Sequence, residues 1–526
     1  GVIKKIGSLQ NEGLWKKAFD EGRLTFEGRP ERIEFVLRAD GSKDIQGSVQ
    51  KLLAGPLSAE TRISLLALMA RVGGPKELAQ VFEAATPRLL EELVTAARQR
   101  QVIPAGDVTA RLGALIAQGE PAAISLAGLW NVAALRPEVK AAINGAPRQR
   151  QAALGALADW KDEATLRSLS GEPDAVIAWA RLNLKEASAA AARLLETPGL
   201  DPGRLLEAFL ARQGGAEALA SSLDPVKLSP DTAKLALRTL STQGRQDAAL
   251  RGVLWKAAGI TTAAPDYSAE YVKALAAEAL AEGDPVRGET VFRGTLTNCL
   301  SCHAIGGAGG RAGPDLAPVG TALPADILIE SLLWPNRQVK EGYGAIAVMT
   351  AGERIVQGYK LNEDKQILML RDPQTDEVLT LRIGELRARK EIGSSMPEGL
   401  ANGLTRQELR DLVRFLSELG KPGPFRVSEQ PFVRRWLVSP TAGDEPPAGP
   451  WLPRIAKLSG ELPAEDRAAS GWLRFEVEVL KAGVFRLSIA AEKLWVDGKA
   501  AAQPLALTTG LHTITLKTAA GSLTVL

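Results

Sequence analysis

Cys299-Leu300-Ser301-Cys302-His303 decides the reading of this chain: two cysteines three residues apart, followed at once by a histidine, have the spacing that attaches a c-type haem. On one helical turn, residues three apart share a face, so both sulfurs can form thioethers to the two vinyl groups of a single porphyrin. His303 then lies beneath the iron as the proximal axial ligand, and the expected cofactor is one covalent haem c. The 526 residues contain only 2 cysteines and 2 histidines. A structural zinc site needs four Cys or His ligands, and the second histidine, His512, lies far downstream. A thioredoxin-like pair would want a flanking βαβ pattern, whereas these flanks are polar on one side and glycine-rich over residues 304–310 on the other.

Working outward, the surroundings resemble a class I cytochrome c. Asp284 and Pro285 read as the cap and first position of a short helix over 285–292. Gly288 and Phe292 in that helix suit a close crossing with a last helix. After the motif, Gly313-Pro314-Asp315-Leu316 resembles the turn whose proline carbonyl, here that of Pro314, accepts the proximal imidazole N–H and fixes its tautomer. Thr405 caps an apolar-periodic helix over 406–419, closed by Gly420 and Pro422. The sixth ligand is expected in the irregular loop ahead of that helix, where Gly393-Ser394-Ser395-Met396-Pro397 offers Met396. The alternative role for Met396 is to fill the core. Met349 and Met369 sit in strand-like runs and read as packing. His512 becomes a distal ligand only if the last domain folds back onto the haem.

Between the Pro314 turn and Met396 the chain is longer than a minimal cytochrome needs. Four short strands are predicted at 343–350, 354–360, 366–371 and 377–383, with turn residues at each break. This insertion, about 343–383, either covers a haem edge or is a peripheral ornament.

The cytochrome segment, with its Gly-Pro-Asp-Leu turn, the Trp334-Pro335-Asn336-Arg337 run, the strand insertion and Ser395-Met396-Pro397-Glu398-Gly399-Leu400, resembles the PVC-type haem-binding CxxCH proteins over roughly residues 283–423. Members of that family are large multidomain cytochromes that often carry a propeller resembling sugar or sorbosone dehydrogenases, then helical repeats, then the cytochrome. The resemblance implies a dehydrogenase as electron donor, on a separate chain or removed from this one. Arg311, Trp334 and Arg337 are candidate propionate contacts.

Residues 48–282 are rich in Ala, Leu, Arg and Glu, with apolar positions at i, i+3, i+4 and i+7 in short blocks broken by Gly73-Gly74-Pro75, Asp201-Pro202-Gly203 and Gly214-Gly215. Loosely repeated antiparallel helices suggest a HEAT-like α-solenoid; a compact irregular helical domain has the same periodicity. Residues 1–47 are mixed, with strands or extra helices possible at 24–26 and 33–37. Beyond Pro424, predicted strands at 472–480, 483–490, 493–496, 503–507, 512–517 and 523–526 suggest a β-sandwich over 425–526. Its pattern resembles carbohydrate-binding sandwiches, with Trp472 or Trp495 as a stacking platform or as ordinary packing. His512 reads as a satisfied core or edge histidine.

The expected architecture is therefore multidomain: an all-α HEAT-like solenoid, a class I cytochrome c over 283–424 with a β insertion, and a C-terminal β-sandwich. A balance of 64 basic against 61 acidic residues, net +3, argues against a nucleic-acid-binding field. No apolar run is long enough to span a membrane, and no signal peptide is visible. Because haem attachment of this kind takes place outside the cytoplasm, a periplasmic or equivalent location is expected, with a leader cleaved or lying upstream of Gly1. The function expected is transfer of single electrons from a partner dehydrogenase to an acceptor protein, without catalysis by this chain. Two alternatives are a haem-based ligand sensor or peroxidase-like enzyme, and an assembly scaffold or glycan-binding protein with an ancillary haem.

Overall fold

The computed structural model of the chain describes residues 45–518 except 226, 246, 374, 430, 431 and 490, together with 523 and 524. The strands or extra helices considered at 24–26 and 33–37, and the end of the last strand at 525–526, lie outside the described residues. Among the described residues are 21 α-helices, with antiparallel sheets in the C-terminal part. Two compact units divide the chain, residues 1–257 and 258–526. No described helix is long and apolar enough to cross a membrane.

The described part of the first unit is helical. Ser58 caps Ala59–Val72 by accepting the Thr61 N–H at 3.2 Å. Gly73 and Gly74 end that helix, and Pro75 opens Pro75–Ala84. Helices Ala59–Val72, Pro87–Arg100, Pro121–Leu129 and Pro147–Asp159 pack each against the next. One crossing is tight enough to require glycine, since a Cβ on Gly128 would sit 2.5 Å from the Ala156 Cα. The arginine content has a structural use. Helix ends leave carbonyls without intrahelical partners, and arginines from neighbouring elements reach them: Arg62 to Leu53 O at 3.2 Å, Arg100 to Arg71 O at 2.7 Å, Arg111 to Phe82 O at 3.1 Å and Arg181 to Gly155 O at 3.1 Å.

In the second unit, six helices build the region around the motif: α1 Ala269–Glu282, α2 Pro285–Arg293, α3 Cys299–Cys302, α4 Val319–Ala322, α5 Ala325–Leu333 and α6 Arg406–Glu418. α6 is the hub, packed against α1, α2, α4 and α5. Its start is fixed by a capping box: Thr405 Oγ1 accepts the Glu408 N–H at 3.2 Å, and the Glu408 carboxylate accepts the Thr405 N–H at 2.8 Å. α2 crosses α6 at Gly288, where a Cβ would lie 2.0 Å from Asp411 O and 2.6 Å from Phe415 Cβ. Phe292 and Phe415 meet beside this contact, ring centroids 5.6 Å apart. The crossing expected at Gly288 and Phe292 is therefore present.

The helical stretch does not end where the pattern suggested. α1, read from sequence as the last of the repeat helices, belongs to the second unit. Its Val272, Leu275 and Ala279 share a core with Phe415, and Glu278 holds Arg406 of α6 through bonds of 3.0 and 2.7 Å. An Ala/Leu-rich amphipathic helix carries no mark in its own sequence of which neighbour it packs against.

Between α5 and α6 lies a five-stranded antiparallel sheet: β1 Gly344–Thr350, β2 Ile355–Glu363, β3 Ile367–Arg371, β4 Val378–Arg382 and β5 Leu386–Ser394, in the order β4-β3-β2-β1-β5. The first four match the predicted strands; Gln374, in one predicted turn, lies outside the described residues. β5 was not expected, and the insertion extends to Ser394.

The C-terminal segment forms a six-stranded antiparallel sheet from β6 Arg435–Ser439, β7 Leu452–Ile455, β8 Trp472–Val479, β9 Lys493–Val496, β10 Lys499–Ala500 and β11 Gly510–Lys517, in the order β10-β9-β11-β8-β6-β7. Asp497 and Gly498, with φ of +49° and +78°, make the tight β9–β10 turn. One face of the sheet buries Trp436, Phe475, Ile514 and Leu516 together with Leu505 and Leu507 from the short pair Gly483–Phe485 and Leu505–Leu507. The strand expected over 483–490 is thus shorter, and Ala490 lies outside the described residues. Trp472 and Trp495 are 0% and 8% exposed and pack on one another at 5.2 Å. Neither ring offers a face to a sugar, and the packing alternative is the observed one.

Candidate functional site

α3 is a single helical turn, entered through Asn298 at φ +45°, a left-handed conformation that asparagine tolerates. Cys299 and Cys302 therefore share a face. Cys299 enters the core that also holds Phe292 and Phe415, whereas Cys302 is exposed. Burial pushes the Cys299 thiol up in pKa, opposed by a hydrogen bond with Thr297.

His303 closes the turn, its N–H donating to Cys299 O at 2.8 Å. Its Nδ1 lies 3.0 Å from Pro314 O. A carbonyl oxygen can only accept, so Nδ1 carries the proton and Nε2 keeps its lone pair. Among the described residues nothing is hydrogen-bonded to Nε2. Burial lowers the pKa of the imidazole, and the Pro314 bond works against that shift. Gly313 lies flat against the ring; a Cβ there would be 2.5 Å from both Cε1 and Nδ1. The segment between is drawn back onto α3 by Gly310 N to Leu300 O at 2.9 Å and Gly313 N to Cys302 O at 2.6 Å. Within it, Ala304–Ile305 and Ala308–Gly309 form a small hairpin turning through Gly306 and Gly307, at φ +60° and +75°. Asp315 accepts the N–H groups of Gly306 at 3.0 Å, Gly307 at 2.7 Å and Ala317 at 2.8 Å. Burial would raise its pKa, but these bonds hold the carboxyl below the ordinary value.

The methionine loop is delivered by β5. Met396 N donates to Ser394 Oγ at 3.1 Å, and Ser395 Oγ is bonded to the Tyr359 hydroxyl of β2. Asn336 accepts the Ser394 N–H at 2.9 Å and donates to Glu398 at 2.8 Å. At the far end Asn402 donates to Thr261 O at 2.8 Å and Ala263 O at 2.9 Å. The loop is thus tied at both ends, and half-buried Met396 packs against the same apolar core that Cys299 enters. Asn336, Tyr359 and Asn402 have no assigned role in the sequence reading. Asn336 stood in a run quoted there, but a polar side chain does not announce which backbone it will hold.

No protein-family model and no curated protein matches this chain.

Two of the three candidate propionate contacts are committed elsewhere. The Trp334 indole donates to Pro265 O at 2.6 Å. Arg337 bonds Glu330 at 3.2 Å and lies over the Tyr267 ring, whose hydroxyl donates to the same carboxylate at 2.8 Å. These groups pin the segment ahead of α1. Arg311 is exposed and, among the described residues, makes no hydrogen bond or ion pair. His512 uses both nitrogens locally, Nδ1 at 2.7 Å from Asp497 Oδ2 and Nε2 at 2.9 Å from Thr508 O, which removes it as a distal ligand. Met349 and Met369 are half-buried on the five-stranded sheet.

No group of three or more His, Cys, Asp or Glu able to hold a metal ion occurs among the described residues. One oriented imidazole with a free lone pair, two thiols on one helical face and a thioether on the same core suit a metal that brings its own equatorial donors. These residues fit a haem, which Cys299 and Cys302 would attach and His303 would hold through its free nitrogen, with Met396 the candidate for a second ligand.

Proposed function

We propose that this chain is a c-type cytochrome that passes single electrons from a partner dehydrogenase to an acceptor protein outside the cytoplasm. The observation that carries the reading is the His303 Nδ1 to Pro314 O bond at 3.0 Å, with Gly313 packed flat on the ring. On this reading residues 283–424 are a class I cytochrome c with an inserted sheet, supported by the α2–α6 crossing at Gly288. The helical first unit is a HEAT-like solenoid, supported by its row of sequentially packed helices, and offers a surface for the donor. The C-terminal sheet with its short companion strands is a β-sandwich. The resemblance to PVC-type CxxCH proteins supplies the dehydrogenase partner.

A haem held by His303 and Met396 would supply a one-electron iron couple of raised potential. The protein's own part is positional. The Pro314 carbonyl holds the proton on Nδ1 and so presents Nε2 as a donor. Asp315 fixes the loop on which Pro314 sits. β5, Asn336 and Asn402 hold the Met396 loop at both ends, which supports Met396 as the second protein ligand of such a group.

Absorption spectra of oxidised and reduced protein, with and without carbon monoxide, test this beside Met396→Ala. A low-spin spectrum, a sulfur-to-iron band lost in the variant, and no carbon monoxide response in the wild type are expected. A wild type that binds carbon monoxide would move the site to sensing or catalysis, and a chain that releases its haem on denaturation would overturn the reading.

A further inference from the structure

We infer that Arg434 and Arg435, at the start of the C-terminal sheet, are positioning residues for His303. The inference rests on the electron-transfer reading above and concerns how that site is held. The hairpin that leaves His303 is gripped from two directions. Asp315 takes the N–H groups of Gly306 and Gly307. Arg434 donates to Ile305 O at 2.5 Å, and Arg435 donates to Gly307 O at 2.5 Å and to Gly309 O at 3.2 Å. Val427 fills the space over Gly306, where a Cβ would come within 2.7 Å of its Cγ1. Donors and acceptors of the turn are thus held at once, one set by the motif's own loop and the other by the C-terminal segment.

The same segment is tied to α2. Glu289, 8% exposed, accepts the Leu458 N–H at 2.8 Å, and Arg293 pairs with Asp466. Leu458 lies in the core with Cys299 and Phe415. The hairpin is therefore braced against a body that is itself anchored to the helix preceding the motif. Glu289 and Asp315 are the carboxylates that interact with the Arg434 guanidinium, and Arg293 and Arg435 the cations. Arg434 reaches the hairpin through a single Nη1 donor, its buried Nε having no partner among the described residues, so a lysine ammonium could supply part of the same contact. If the brace is lost, the hairpin is free to shift, and with it the Asp315–Pro314 turn that sets the imidazole orientation.

The test uses the full chain as purified, comparing wild type with Arg434→Lys, Arg434→Met, Arg435→Met and the double Arg434→Met/Arg435→Met. Arg474→Met, on the same sheet but stacked over Trp451 at 4.0 Å, controls for general loosening of the sheet. Midpoint potential, the sulfur-to-iron band and amide exchange at Gly306 and Gly307 are read. Positioning predicts that the double variant changes the reduced-to-oxidised ratio at fixed potential about tenfold, about 59 mV for one electron. It also predicts faster exchange at the hairpin, and an Arg434→Lys shift smaller than that of Arg434→Met, because an ammonium keeps the charge and can supply the single donor. A potential unchanged in the double variant, a lysine shift as large as that of methionine, or an equal shift in Arg474→Met would overturn the inference. If the double variant does not fold, exposed Arg435→Met carries the same comparison. Wild type and variants alike lacking covalent haem would instead overturn the electron-transfer reading, a failure recognisable because it does not depend on either arginine.

Discussion

His512 shows how much a single residue's surroundings add to its letter. Its ring nitrogens face Asp497 Oδ2 and Thr508 O, and the Asp497 bond first and the Thr508 carbonyl second raise its pKa. A folded-state pKa above the unfolded value, about 6.5, means this clamp stabilises the hairpin fully below about that pH and is lost as pH rises through the folded value. Asp497 moves the other way: its carboxyl is held low by His512 and the Thr513 N–H, so its share is lost as pH falls through its folded value. Proton NMR of the ring should place the His512 titration above that of a free histidine, and His512→Gln should remove the alkaline loss of β9–β11 exchange protection. A titration at or below the free value would sink the assignment. The residue-scale signal in the sequence was strong for Cys299, Cys302, His303 and Pro314, whose spacing is itself the chemistry. It did not show the partners of Trp334 and Arg337, since an indole N–H or a guanidinium donates to whichever carbonyl or carboxylate the fold brings near.

At the scale of elements, the α2–α6 crossing was legible because a close helix contact demands a small residue, and Gly288 stands where one is needed. Gly288→Ala should destabilise the fold by about 3 kcal/mol through overpacking against Asp411 and Phe415, seen as a lowered midpoint in urea; a change below about 0.5 kcal/mol, the usual range for an innocuous surface substitution, would contradict the crossing. β5 was not legible. Its Arg387, Arg389, Lys390 and Glu391 are exposed, with Arg387 paired to Glu353 and Arg389 to Glu363, as suits an edge strand that must not recruit another chain, so the alternation that marks a half-buried strand is absent. Yet β5 is the strand that leads into Met396. The insertion is therefore tied covalently and by hydrogen bonds to the methionine loop. β6 and β7 were missed for a different reason: Pro453, within β7, and the prolines at 446, 447 and 450 ahead of it read as loop.

At the scale of the molecule, composition and periodicity separated helical from strand-bearing regions, but they placed borders where the pattern changes and not where the packing changes. α1 and the C-terminal sheet both fall in the unit that holds the motif. Native-state hydrogen exchange should accordingly show Leu473 to Phe475 of β8 and Leu412 to Phe415 of α6 opening as one cooperative unit, with a common denaturant dependence. Separate openings differing by more than about 1.4 kcal/mol, tenfold in rate, would mean that the sheet is an independent domain. The burial of Cys299 has one more consequence, and it concerns order in time. Its sulfur sits in the core while Cys302 remains open, so on the proposed haem reading a catalyst joining both cysteines would reach the first of them most readily before α2 and α6 have come together. Attachment would then run ahead of the closing of the core, and a thiol reagent offered to the folded chain should modify Cys302 well before Cys299.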